Sequence, residues 1–169
     1  MNNFLVVLAV SLLMFGCGKQ NKKLNFEKII FHTSLCFGSC NVYHLEINNE
    51  NKVKLYAEHV YKSPDDFSFK EDTAKIGYFN GIANDTSFNK LVKELQTIDI
   101  ETLEFDGTTF CDGSVITIIV YYDKKRKFLQ SMTPPSKADN LIPILTEICE
   151  KSKLQKVNEG FKIENKEQF

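Results

Sequence analysis

The 169-residue chain contains no tryptophan, and Arg126 is its single arginine. Its net charge is −1, so no basic field is available to recruit nucleic acid or acidic substrates. Neither a Gly-rich phosphate loop nor a Gly-x-Ser-x-Gly elbow occurs, which removes the commonest signatures of nucleotide and serine-hydrolase chemistry. No internal repeat or low-complexity tract is found. Long apolar runs are missing too. The stretch Phe4–Phe15 (FLVVLAVSLLMF) would reach only ~18 Å as a helix, against a hydrocarbon core of ~30 Å. What is present is ordinary globular material. Apolar residues make up 43% and charged residues 25%, and fourteen phenylalanines can fill a core, enough for one domain and too little for two.

The apolar run therefore reads as the h-region of a signal peptide and not as a membrane span. It leads into Met14-Phe15-Gly16-Cys17, followed by the polar stretch GKQNKKLN. A bulky residue, a small residue and a cysteine in this place resemble the lipobox of bacterial lipoproteins. That resemblance implies cleavage after residue 16, acylation of Cys17 and a membrane partner reached through the lipid. The alternatives are a plain secretory signal cleaved near Gly16, or a short anchor. The expected organisation is a signal over residues 1–16, a polar tether over 17–25, one domain over 26–153 and a polar, frayed tail over 154–169. Gly18 in place of an aspartate, and no acidic run behind Cys17, favour an outer-membrane lipoprotein whose domain faces the periplasm.

Within the domain, residues 26–33 read as a first strand. Val42 to Asn48 alternates, with Tyr43, Leu45 and Ile47 on one face, and Val53, Leu55 and Ala57 share a face beyond the NNENK turn. Matching these faces sets Ile47 against Val53, Leu45 against Leu55 and Tyr43 against Ala57, and places Glu46 opposite Lys54. Extended one step, the register brings His59 near Asn41. Residues 62–73 form an acidic loop and residues 74–80 a fourth strand. Asp85 or Thr86 caps a helix with Phe88, Leu91, Val92 and Leu95 on its inner face. Residues 99–114 are a turn-rich connection. Val115–Tyr122 (VITIIVYY) is a strand apolar on both faces, and Lys127–Met132 is its partner across a DKKR turn. Pro134-Pro135 precedes a helix starting near Asp139 or Asn140, with Leu141, Ile142, Leu145, Ile148 and Cys149 inward and Pro143 in its first turn. GFKIE, after the helix, has the composition of a short strand. The order ββββαββα predicts an α+β fold, with two helices on one face of a mainly antiparallel sheet.

The stretch LCFGSCNVYHLEI carries most of the chemistry. His32, Cys36, Cys40 and His44 fall four apart, a helical spacing for metal ligands, but Phe37-Gly38-Ser39 is a poor helix. Four residues of strand span ~13 Å, too far for two ligands of one ion or for a direct Cys40–His44 hydrogen bond. His59, on the neighbouring strand, is a better catalytic partner for Cys40 on the register above. Cys-x-x-x-Cys lacks the two-residue spacing of thioredoxin-like motifs and no helix N-terminus follows it to lower a thiol pKa. In an oxidising compartment the simplest outcome is a Cys36–Cys40 staple reversed at Gly38, with an entropic contribution at the low end of ~0–5 kcal/mol. Cys111 and Cys149 are then candidates for a second pair, Cys149 being alternatively a buried free thiol.

Cys36, Gly38, Cys40 and Tyr43, followed by a hairpin, a helix, VITIIVYY and a Pro-initiated helix, resemble a domain of unknown function found in bacterial envelope lipoproteins. Its signature is Cys-x-Gly-x-Cys-Pro-x-Tyr, and Asn41 stands in place of the proline. The resemblance covers residues 28–152 and implies a fold and an address without an activity.

The remaining patches have plain readings. The loop DDFSFKED lacks the alternating aspartates and central glycine of a calcium loop. KKRK, residues 124–127, is a hydrated hairpin tip within reach of anionic lipid. Tyr121 and Tyr122 point to opposite faces and form no stacking platform. The expectation is a non-enzymatic envelope lipoprotein without cofactor or metal, binding an envelope protein or peptide or supporting the envelope. The alternative is a thiol-based redox enzyme or metal binder using Cys36 and Cys40 with His59 or His44.

Overall fold

A computed structural model of the protein describes residues 24–62, 69–108 and 112–165. The expected signal, Cys17, most of the tether and Cys111 lie outside these residues. Among them, seven strands and two helices follow one another as β1 (Phe26–Thr33), β2 (Val42–Asn48), β3 (Lys52–His59), β4 (Gly77–Ile82), α1 (Asp85–Thr97), β5 (Ile116–Tyr122), β6 (Lys125–Ser131), α2 (Leu141–Lys151) and β7 (Gln155–Val157). The strands form one open antiparallel sheet in the order β6-β5-β1-β2-β3-β4-β7. The fold is α+β, and the expected order holds up to the added strand β7.

Apolar alternation sets the register. Ile47 faces Val53, Leu45 faces Leu55 and Tyr43 faces Ala57, with Glu46 opposite Lys54 and their charges 3.7 Å apart. Past Tyr43 an irregularity shifts the pairing, so His59 pairs with Val42 and not with Asn41. Ile29, Phe31, Leu45, Ile47, Val53, Leu55, Ile118 and Val120 line one sheet face and share a single core with Leu91, Leu95, Leu141, Leu145 and Ile148 of the helices. Both helices thus cover the same face. Each such buried aliphatic side chain contributes ~1.5–3 kcal/mol by leaving water. Lys90 of α1 reaches Glu147 of α2 at 3.2 Å on the outside of the pair.

Local chemistry adjusts several sequence boundaries. Helix α1 is capped one residue earlier than expected, by Asn84, whose Oδ1 accepts from the Thr86 amide at 2.9 Å. Strand β4 starts at Gly77, after a 3₁₀ turn over Thr73–Lys75 that takes the first residues assigned to it from sequence. The β5–β6 turn is only Asp123-Lys124, both at positive φ, so β6 begins at Lys125. Pro143 is the third residue of α2, where a missing amide proton is harmless.

The tail is the main correction. Residues 155–157 pair with Tyr78–Asn80 of β4, and GFKIE follows as an extended segment outside any strand. That segment crosses the sheet face opposite the helices. Gly160 lies against Tyr78, the Phe161 ring meets Tyr78 edge-on at 5.1 Å, and Glu164 reaches β1, β5 and β6. Through Glu164 these contacts hold the segment against the sheet, and residues 166–169 lie outside the described residues.

Candidate functional site

The site forms where β1 ends and β2 begins. Thr33 ties the two strands, its Oγ1 donating to the Asn41 carbonyl and accepting from the Tyr43 amide, both at 2.9 Å. Ser34 is locked to the chain before β5. Its amide donates to Ser114 Oγ at 3.1 Å, Ser114 Oγ donates back to its carbonyl at 2.7 Å, and its own Oγ accepts from the Val115 amide at 2.8 Å. The Phe37 amide donates to the Asp112 carbonyl at 3.1 Å. Between these ties, Cys36 and Cys40 form a disulfide, their Cα atoms 5.7 Å apart. Gly38 reverses the chain at φ 145°, a conformation that side chains rarely adopt. The expected staple is present. It is fixed at both ends, and it holds Leu35 and Phe37 in solvent, 56% and 89% exposed.

Below this loop lies a groove of about 520 Å³ lined by the disulfide, Thr33, Tyr43, Ile116, Thr146 and Glu150. A second groove of about 520 Å³ opens on the other side of Asn41, Tyr43 and Glu150, towards Tyr61, Lys75 and Phe79. The three shared residues make the ridge between them. Tyr43 Oη and Asn41 Nδ2 both donate to Glu150 Oε1 at 3.5 Å, and Asn41 Oδ1 accepts from the Tyr61 amide at 2.9 Å. Asn41 therefore makes two side-chain contacts that a proline at this position would lack. Burial, reinforced by the Glu150 carboxylate, holds the Tyr43 phenol well above its ordinary range, so it stays a hydrogen-bond donor. Cys149, behind the ridge, is a free thiol, buried and likewise raised by that burial. Cys149 is free in the structure, one of the two readings expected of it, and Cys111 lies outside the described residues.

Histidines do not complete a thiol site here. His44 points to the sheet face opposite Tyr43. Its Nε2 lies 3.0 Å from Glu58 Oε2 and its Nδ1 shares a hydrogen bond of 2.8 Å with His32 Nδ1, while His32 Nε2 donates to the Glu164 carbonyl at 2.6 Å. His59 donates from Nδ1 to Glu71 at 2.6 Å and lies 4.0 Å from Glu58. All three histidines thus belong to one chain of polar groups running from Glu164 to Glu71. Desolvation, with His44 adding to it, lowers the pKa of His32, against the hydrogen bond to the Glu164 carbonyl, which raises it. Among the described residues no group of three or more His, Cys, Asp or Glu side chains is placed to hold a metal ion.

Sequence reasoning missed this chain, although a signal was available. With β1 paired to β2 by their apolar faces, His32 falls opposite His44, and Tyr56 and Tyr78 continue the row. The rings follow one another at 5.0, 5.4 and 4.4 Å.

No match to this chain is found among curated proteins or among solved structures. A family model does match, over residues 27–150, from the first strand through α2 and including the stapled loop and Glu150. The chain belongs to the DUF6438 family, a domain of unknown function.

Proposed function

We propose that the protein is a lipid-anchored lipoprotein of the bacterial envelope whose domain is a non-enzymatic binding module, with the stapled loop and its groove as the contact site. The observation that carries this reading is the exposure of Leu35 and Phe37 on a loop clamped by the disulfide and by Ser34, Ser114 and Asp112. Two large apolar side chains held rigidly in water above a groove lose little conformational freedom when a partner covers them. The geometry of β1 supports the same reading. A chain anchored at Cys17 would enter the sheet at Phe26, and the loop leaves β1 at Thr33, seven residues and ~23 Å away along the strand. The basic turn at Lys124 lies beside the entry, since the Asp123 amide donates to the Asn25 carbonyl at 3.0 Å. Such a domain would hold its contact loop away from the bilayer, towards an envelope protein or peptide.

The test is site-specific. A photo-crosslinking residue in place of Phe37, in native envelopes, is expected to yield a discrete adduct. The same residue in place of Ile82, 53% exposed at the far end of β4, is the control. Equal labelling at both positions would contradict the assignment. The anchor is tested by Cys17→Ala, which is expected to move the protein from the membrane to the soluble periplasmic fraction. Retention with membranes would remove the lipoprotein assignment.

A further inference from the structure

The sheet face opposite the helices is covered by the chain's own end. Glu164 is the centre of that cover. Its carboxylate accepts from Tyr121 Oη at 2.7 Å and from Arg126 Nε at 2.9 Å and lies 3.9 Å from Lys28 Nζ. Its backbone carbonyl accepts from His32 Nε2 at 2.6 Å. Three residues earlier, Phe161 packs edge-on against Tyr78 at 5.1 Å. Lys28 and His32 flank Ile30 on this face, so the segment passes above Ile30, which pairs with Ile119; both are fully buried.

Two features separate the segment from the body it covers. Residues 155–165 include no buried residue, although the surface beneath them is buried. They also lie beyond the region matched by the family model, which stops at residue 150. A terminal segment with no buried side chain opens at a free energy far below that of global unfolding. Opening would leave a built surface: two isoleucines, a row of rings from His32 to Tyr78, and a cationic clamp made by Lys28, Arg126 and the Tyr121 hydroxyl.

We propose that this face is a docking surface for an extended acidic peptide carrying an aromatic residue and a glutamate three positions apart, and that residues 158–164 occupy it in cis. Charge complementarity specifies the ligand, because the clamp takes a carboxylate with charge-assisted hydrogen bonds and His32 takes the adjoining carbonyl. The aromatic position is set by Tyr78, one end of the row. The partner is an extended segment of another protein with the Phe-x-x-Glu pattern of Phe161 and Glu164.

The test uses the full chain and a fluorescein-labelled synthetic peptide of residues 158–165 (NEGFKIEN). Wild type, its face filled in cis, is expected to bind the peptide at least tenfold more weakly than a Phe161→Ala/Glu164→Ala chain of unchanged far-UV circular dichroism. Replacing the peptide's glutamate by alanine is expected to weaken binding to that variant about tenfold, as is Arg126→Ala in the chain. Equal binding by wild type and variant, or binding indifferent to the glutamate, overturns the proposal. A second measurement applies should the double variant not fold. Carbethoxylation of His32 in the wild-type chain is expected to run at least tenfold faster than exchange of the β1 amides and to accelerate tenfold in Glu164→Gln. Modification only at the rate of global unfolding overturns the proposal equally.

Discussion

Gly38 and His32 show how single residues carry this structure. At φ 145° a β-carbon on residue 38 would have ordinary room, its nearest neighbour Cys36 Sγ being 3.7 Å away, so the constraint is backbone conformation alone. Gly38→Ala is therefore expected to cost ~1–3 kcal/mol, read as a lowered urea midpoint with unchanged slope. His32 gives a pH dependence of defined sign. Its folded pKa is lowered from 6.5 by burial, so between the two values the unfolded chain binds more protons. The stability it supports is complete above pH ~6.5 and is lost as pH falls towards the folded value. The ionisable groups of its polar chain are His44, Glu58 and Glu164. An NMR titration isolates this contribution: the His32 ring is expected to titrate below 6.5, and a midpoint above that value would contradict the burial of the ring. Gly38 was legible because glycine between closely spaced cysteines marks a reversal. The histidine chain was not, because its members are scattered in sequence and meet only after two strand registers are combined.

At the scale of elements, periodicity carried the reading where an element has one wet and one dry face. The β2–β3 register was legible from Tyr43 to Ile47 because apolar alternation allows one pairing, and most of the inner faces of both helices was legible for the same reason, Val92 lying outside the core and buried Ser87 going unread. Strand β7 escaped because Gln155-Lys156-Val157 is short and polar, and its pairing depends on the exposed edge of β4. The entry to α1 was misplaced by one residue because Asn84, Asp85 and Thr86 are all acceptable caps and only geometry chooses among them. Asn84→Ala is expected to cost ~1 kcal/mol and Asn84→Gly a few tenths, measured by urea unfolding. Leu95→Ala, in contrast, empties a site between α1 and the sheet and is expected to cost ~2–5 kcal/mol.

For the whole molecule, one sheet separates two surfaces of different character. The helices close one side into a core and leave the stapled loop and its groove at the end of the sheet distant from Phe26. The carboxy-terminal segment closes the other side through ring contacts and a few charged hydrogen bonds. The candidate loop was visible in the sequence, because two cysteines around a glycine ahead of a strand announce a fixed bend. The second surface was hidden, since its parts come from β1, β4, β5, β6 and a tail of polar composition. The alternative use of Cys36 and Cys40 in thiol chemistry requires them to be free at some stage of a cycle. A contact loop shaped by the disulfide instead requires a permanent bond. Alkylation of the protein from native envelopes, without reductant and followed by peptide mass spectrometry, decides this most directly. Cys36 and Cys40 are expected to remain linked and unlabelled even after denaturation, with Cys149 labelled only once the chain unfolds; label on Cys36 or Cys40 in the native protein would contradict the account.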